Sequence, residues 1–144
     1  MREQATAVNR TTSLLFQNNA AQVLADADGF LHLVWSGEPR QLADTQAVFG
    51  AVAQSLRQRG WGRVLANQTH MPPFSPEEQR WIMQEWLPGA ARDSGYRAGA
   101  IVVSASVLSR LATAYITSSQ SHSLRYRSFD TEEVALDWLL RQPV

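Results

Sequence analysis

The chain contains no cysteine, and every basic residue in it is arginine, so lysine is absent as well. The first absence removes disulfides, thiolate nucleophiles, zinc–thiolate sites and iron–sulfur clusters together. The second removes Schiff-base chemistry and the phosphate-binding lysine of Walker loops. Charge of either sign is not in excess: 13 basic and 13 acidic side chains alternate along 144 residues and cancel. No field is set up to draw in a phosphate backbone or an anionic bilayer, so neither nucleic acid nor membrane insertion is expected. No window holds eighteen apolar residues, and residues 1–12 lack the apolar stretch of a secretory signal. The expectation is a cytoplasmic protein.

Motifs are missing too. Gly60, Gly62, Gly89, Gly95 and Gly99 are spread between elements, without the G-x-G-x-x-G or Walker spacing that wraps backbone amides around a phosphate. No G-x-S-x-G elbow singles out a nucleophilic serine. His32, His70 and His122 are scattered, with no i, i+4 pair. Neither a metal nor a cofactor is expected, and no enzymatic activity is implied.

What is present is a globular composition, 44% hydrophobic and 18% charged. By surface scaling, a chain of this mass buries about two thirds of its unfolded surface, enough for one core. The reading is one domain over 13–144, preceded by a flexible segment, 1–12. Residues 13–17 and 21–25, separated by Asn18-Asn19, read as a hairpin, since Asn tolerates positive φ. After the Asp26-Ala27-Asp28-Gly29 turn, residues 30–35 are apolar at almost every position, as in a strand covered on both faces. Leu42, Thr45, Phe49, Val52 and Leu56 then step by three or four, which predicts a helix ended by Gly60. Residues 63–67 read as the returning strand, and 68–74, with Pro72-Pro73, as a loop.

Ser75-Pro76-Glu77-Glu78 combines an N-cap, a first-turn proline and a capping-box carboxylate. In the helix it opens, Ile82, Trp86 and Ala90 share a face, and Pro88-Gly89 is expected to kink or interrupt it. Trp81 and Trp86 lie five positions, about 140°, apart, so only one faces inward squarely. With Trp86 inward, Trp81 points aside toward 72–74 as a candidate partner contact. Residues 99–104 form the most strand-like run and are placed centrally in the sheet. The helix that follows carries Val107, Leu108, Leu111 and Tyr115 on one stripe, the side an amphipathic helix ordinarily turns to its core. A last strand, 124–129, leads to a closing helix capped by Asp130, with Trp138 on its core stripe.

The element order is β-β-β-α-β-α-β-α-β-α, a mixed, largely parallel α/β sheet with helices packed against it. That order resembles the STAS/SpoIIAA-like superfamily, closest to the small stand-alone STAS-like proteins of bacteria without assigned activity. The more specific pieces are Glu85-Trp86-Leu87-Pro88, residues 100–104 with 107–113, and Phe129-Asp130 with 132–139. The resemblance implies the fold of anti-sigma-factor antagonists. In phosphorylatable members an Asp-Ser pair opens the helix after the fourth strand; here Phe74-Ser75-Pro76 stands in its place. Two carboxylates behind Ser75 would repel a phosphate, which argues against that switch.

Ligands of open α/β sheets gather beyond the carboxyl ends of parallel strands. That places Asn67, Thr69, His70 and Ser104 beside the capped helix start at Ser75, and with Trp81 they form the candidate binding residues. The function expected is a non-enzymatic STAS-like binding or regulatory module acting on a protein partner or a second copy of itself. The alternative is a carrier of a small apolar ligand or lipid, with a pocket between helices and sheet, as a likeness to SEC14-like lipid binders implies.

Overall fold

The computed structural model describes residues 10–118 and 124–143. Six strands and four helices alternate: β1 (Thr12–Gln17), β2 (Ala21–Asp26), β3 (Phe30–Trp35), α1 (Leu42–Arg59), β4 (Arg63–Asn67), α2 (76–94), β5 (Ala98–Val102), α3 (Val107–Ser118), β6 (Arg125–Phe129) and α4 (Glu132–Leu140). The order along the sheet is the order along the chain, β1 to β6. The first two pairings are antiparallel and the last three parallel, so the sheet is mixed, as the periods predicted. Residues 1–9 of the expected N-terminal segment, and His122, lie outside the described residues.

Local chemistry sets the joints. Asn18 Oδ1 accepts from the amides of Ala20 and Ala21 at 2.8 and 3.2 Å, which closes the first hairpin. Gly60 ends α1 at φ 67°, a left-handed conformation that favours glycine, and its N–H bonds back to Leu56 O. Ser75 caps α2 as expected. Its Oγ accepts from Glu78 N at 3.1 Å and the Glu78 carboxylate takes the Ser75 N–H at 2.7 Å, a complete capping box.

Each strand of the parallel half alternates between two cores. Leu31, Leu33 and Trp35 face one side, where α1 contributes Val48, Val52 and Leu56, α2 contributes Ile82 and Trp86, and α3 contributes Ala112 and Ile116. Phe30, Leu65, Ala98, Ala100 and Val102 face the other, covered by Ala135 and Leu139 of α4. All three crossover helices therefore lie on one face, as crossovers of a single hand moving in one direction along the sheet require. Among the described residues α4 is the helix that covers the second face.

The structure departs from four expectations. Of the kink or interruption expected at Pro88-Gly89 of α2, the interruption does not occur. The helix widens into π-type turns at Ile82–Trp86 and Ala90–Ser94, where Leu87 N–H reaches Ile82 O and Gly95 N–H reaches Ala90 O, and it runs on until Gly95, at φ 82°. The wider turns carry the chain past the donor that proline lacks. The cap of α4 is Thr131, whose Oγ1 accepts from Val134 N, and not Asp130. The strand of 99–104 is interior but lies next to the edge strand β6.

The fourth departure concerns α3. Its buried side is Ser109, Ala112, Thr113 and Ile116, whereas Val107, Leu108, Leu111 and Tyr115 face outward at 68%, 68%, 61% and 60% exposure. The small residues let the helix sit close to the sheet. Ser109 Oγ donates to Met71 O at 3.1 Å, and Thr113 Oγ1 donates to Gln68 Oε1 at 2.8 Å.

Candidate functional site

At the carboxyl end of β4, Asn67 is the centre of a polar group. Its Oδ1 accepts from Thr69 N at 2.9 Å and from Thr69 Oγ1 at 2.6 Å, while its Nδ2 donates to Glu132 Oε2 at 2.7 Å. His32 Nε2 lies 2.7 Å from the same oxygen. β3 and β4 present His32 and Asn67 on the face that α4 covers, and the first residue of α4 drops between them. The bond from His32, and then that from Asn67, hold the Glu132 carboxyl below the usual carboxylate range against the opposing effect of burial. An ionised carboxylate has no proton to give, so Nε2 carries the hydrogen. Glu132 thereby ties the start of α4 to the sheet, and Arg63 Nη2, donating to Gln142 O at 2.6 Å, ties its far end.

A second polar group joins three loops. Arg40 Nε and Nη2 donate to Glu78 Oε2 and Oε1 at 2.7 and 3.0 Å, and Nη1 and Nη2 also donate to Pro72 O and Pro73 O. Both side chains are nearly solvent-free, 4% and 6% exposed. Thr45 Oγ1 donates to the same carboxylate. The guanidinium sits over the rings of Trp35 and Phe74, 5.6 and 5.1 Å from their centroids. Burial pushes the Glu78 carboxyl up, but the donors around it prevail and hold it below its ordinary value. Every acceptor is filled, so this pair organises loops rather than awaiting a ligand.

The six residues singled out in the sequence are therefore divided. Asn67 and Thr69 are bonded to each other. His70 is exposed on the next turn, its backbone packed beside Gly37. Ser75 belongs to the Arg40–Glu78 group as its cap. Ser104 is buried, and its Oγ accepts from Ser106 N at 3.0 Å, which shapes the loop before α3. Trp81 is half-buried against Phe49, with ring centroids 6.0 Å apart, so α1 supplies part of the cover expected from a partner. Trp86 is buried and its Nε1 donates to Phe49 O at 2.9 Å. Trp138 is half-buried against Phe129 in the second core. Glu132 and Arg40 are not among the candidate residues of the sequence, where His32 is weighed only as a metal ligand; a histidine in the largely apolar run 30–35 is the one available signal.

Between the sheet and the three crossover helices lies an apolar cavity of ≈ 60 Å³, walled by Trp35, Phe74, Trp86, Tyr96, Ile116 and Tyr126, among others. Tyr96 and Tyr126 meet there edge to face, 5.8 Å between centroids, and burial pushes both hydroxyls above their usual pKa. Gly99 makes room for them: a Cβ there would strike the Tyr96 hydroxyl and come within 2.5 Å of Tyr126 Cε1.

Among the described residues no three His, Asp or Glu side chains converge to hold a metal ion. No helix among them is long and apolar enough to cross a membrane. No protein-family model, no curated protein and no solved structure matches the chain. Among the described residues the outward face of α3 is the largest run of exposed apolar side chains on one element.

Proposed function

We propose that the chain is a non-enzymatic, STAS-like binding or regulatory module that acts through protein–protein contacts. The observation that carries this reading is the outward stripe of α3. A contiguous apolar face of four large side chains costs solubility, and such faces mark interaction sites on soluble domains. The polar groups support the same reading. Among the described residues His32 is bonded to a carboxylate but to no hydroxyl, and the hydroxyl of Thr69 is spent on Asn67. The strand ends offer interlocked structural bonds in place of a nucleophile with its base.

The test compares tagged wild-type protein with a Leu108→Glu/Leu111→Glu variant, each recovered from the native cell and analysed by mass spectrometry. Protein partners retained by the wild type and lost by the variant support the reading. An identical set of partners in both overturns it.

The cavity favours a second reading, a small apolar ligand carrier. At ≈ 60 Å³ it is smaller than the roughly 150 Å³ that holds a benzene ring. An acyl chain would need the cavity to widen. Native mass spectrometry of the freshly purified protein decides: a bound small molecule released on unfolding supports the carrier, and the bare chain mass removes it.

A further inference from the structure

We propose that the partner of the α3 face is a second copy of the chain, docked antiparallel about a two-fold axis near Leu111. This rests on the protein-binding reading above and gives it an occupant.

The pattern on the helix points to another helix. Leu108, Leu111, Tyr115 and Ser118 follow a three-four-three spacing, which is the seam one helix shows to a neighbour, with Val107 and Ala114 on its flank. A two-fold axis makes the same patch serve both sides. With the axis at Leu111, each Tyr115 ring falls over the Val107 and Leu108 side chains of the other copy, and Leu111 meets its own mate. The bulky ring at one end of the stripe and the two aliphatic residues at the other are thus each other's complement.

Charge agrees with this arrangement. α3 carries a single charged residue, Arg110, and no acidic one. Arg110 points roughly 115° away from the middle of the stripe. Its Nη1 donates to Ser104 O at 3.3 Å, and its Nη2 stands 3.9 Å from Asp130. The seam is left without like charges to oppose self-association. A charged partner would find no opposite charge on it to pair with.

The area is sufficient. At the exposures given, the four side chains offer on the order of 450 Å² per copy, within the range of the largest apolar patch on a typical monomer. Two copies contribute on the order of 900 Å² from these side chains, and their rims carry the total past the roughly 1,000 Å² that a specific interface must clear.

The absence of cysteine makes the test clean. Sedimentation of the wild-type protein across a concentration series should give twice the 16.1 kDa chain mass. Leu111→Glu should weaken association on the order of a hundredfold, as loss of a central anchor does, with the melting curve unchanged when both proteins are compared at a dilution where the wild type is also dissociated. Leu14→Glu, at a residue 53% exposed on β1, should leave the dimer intact. On oxidation, Leu111→Cys should cross-link to its mate. Ser118→Cys should not, because the antiparallel arrangement holds those positions about 20 Å apart.

A dimer that survives Leu111→Glu, or equal cross-linking at both positions, overturns the proposal. So does a wild-type protein that remains monomeric at high concentration. In that monomer, alkylation of Leu111→Cys separates the two readings. Fast labelling leaves the face open for a different protein and removes only the second copy; protection from labelling shows α3 turned inward and removes the protein-binding reading as well.

Discussion

Arg40 and Glu78, 38 residues apart, form a two-pronged ion pair in which both side chains are almost out of contact with water. One guanidinium there joins the segment before α1, the Pro72-Pro73 loop and the first turn of α2. Breaking such a pair from one side strands the other charge. Glu78→Ala should therefore cost about 3–5 kcal/mol. Ser75→Ala removes only the cap acceptor and should cost about 0.5–2 kcal/mol. Urea denaturation of both variants checks the ranking; equal losses would show that the pair contributes no more than the cap.

Acid should unfold the protein through three carboxyls. Asp26, Glu78 and Glu132 are all held below their ordinary values: Arg10 and the Asp28 N–H prevail over burial at Asp26, the donors described above prevail at Glu78, and His32 and Asn67 act at Glu132. A carboxyl with a depressed folded pKa contributes stability that is fully present above its unfolded value, about 4, and is lost as pH falls through the folded value. The contribution of these three carboxyls should thus be level from neutral pH to about 5 and decline below that. Glu132→Gln should flatten the decline. Denaturation midpoints across acidic pH measure both effects, and an unchanged slope in the variant would show that the His32 bond leaves Glu132 unperturbed.

Gly99→Ala should destabilise by about 1–3 kcal/mol, the cost of overpacking a filled site. Tyr96→Phe in the same chain withdraws the hydroxyl from the space the new methyl needs and should recover part of that loss. Thermal melts of the two single variants and the double variant close the cycle. Strict additivity would mean the methyl and the hydroxyl do not meet.

Trp86→Ala should cost about 3–5 kcal/mol, as for a core tryptophan, since it also frees Phe49 O. Trp81→Ala should cost clearly less, because its ring is only half-buried, and should leave self-association unaltered, because the ring packs on Phe49 of α1 and is not part of the α3 stripe. Chemical denaturation beside sedimentation reads both. A monomeric Trp81→Ala protein would move the interface from α3 to the start of α2.

What a short window of sequence contains was legible, and what depends on distant residues was not. The turn at Asn18, the stop at Gly60 and the box at Ser75 and Glu78 are each completed within a few positions, and each is found where the sequence places it. The Arg40–Glu78 pair and the meeting of His32, Asn67 and Glu132 join residues from separate elements, and no local pattern announces them. α3 shows the limit most sharply. Periodicity locates an apolar stripe at Val107, Leu108, Leu111 and Tyr115, but the pattern does not say what lies against it. Four small or medium side chains on the opposite face fit the sheet closely enough to take the inner position. At Pro88, the rule that proline ends a helix assumes regular α turns, and π-type turns set it aside.

The match between chain order and sheet order bears on synthesis. A strand leaving the ribosome finds its neighbour already made, because each of β2 to β6 pairs with the strand immediately before it. No strand must wait for a later one to be inserted between itself and its predecessor, so the growing sheet has one open edge at a time on its newer side. Closing short loops in sequence costs less chain entropy than gathering distant segments. β6 stops this growth with Arg125 and Arg127, charged side chains on an edge that a flat apolar strand would leave open to further pairing. α4 is the last helix to emerge, and it seals the second face only after β4, β5 and β6 are there to receive it.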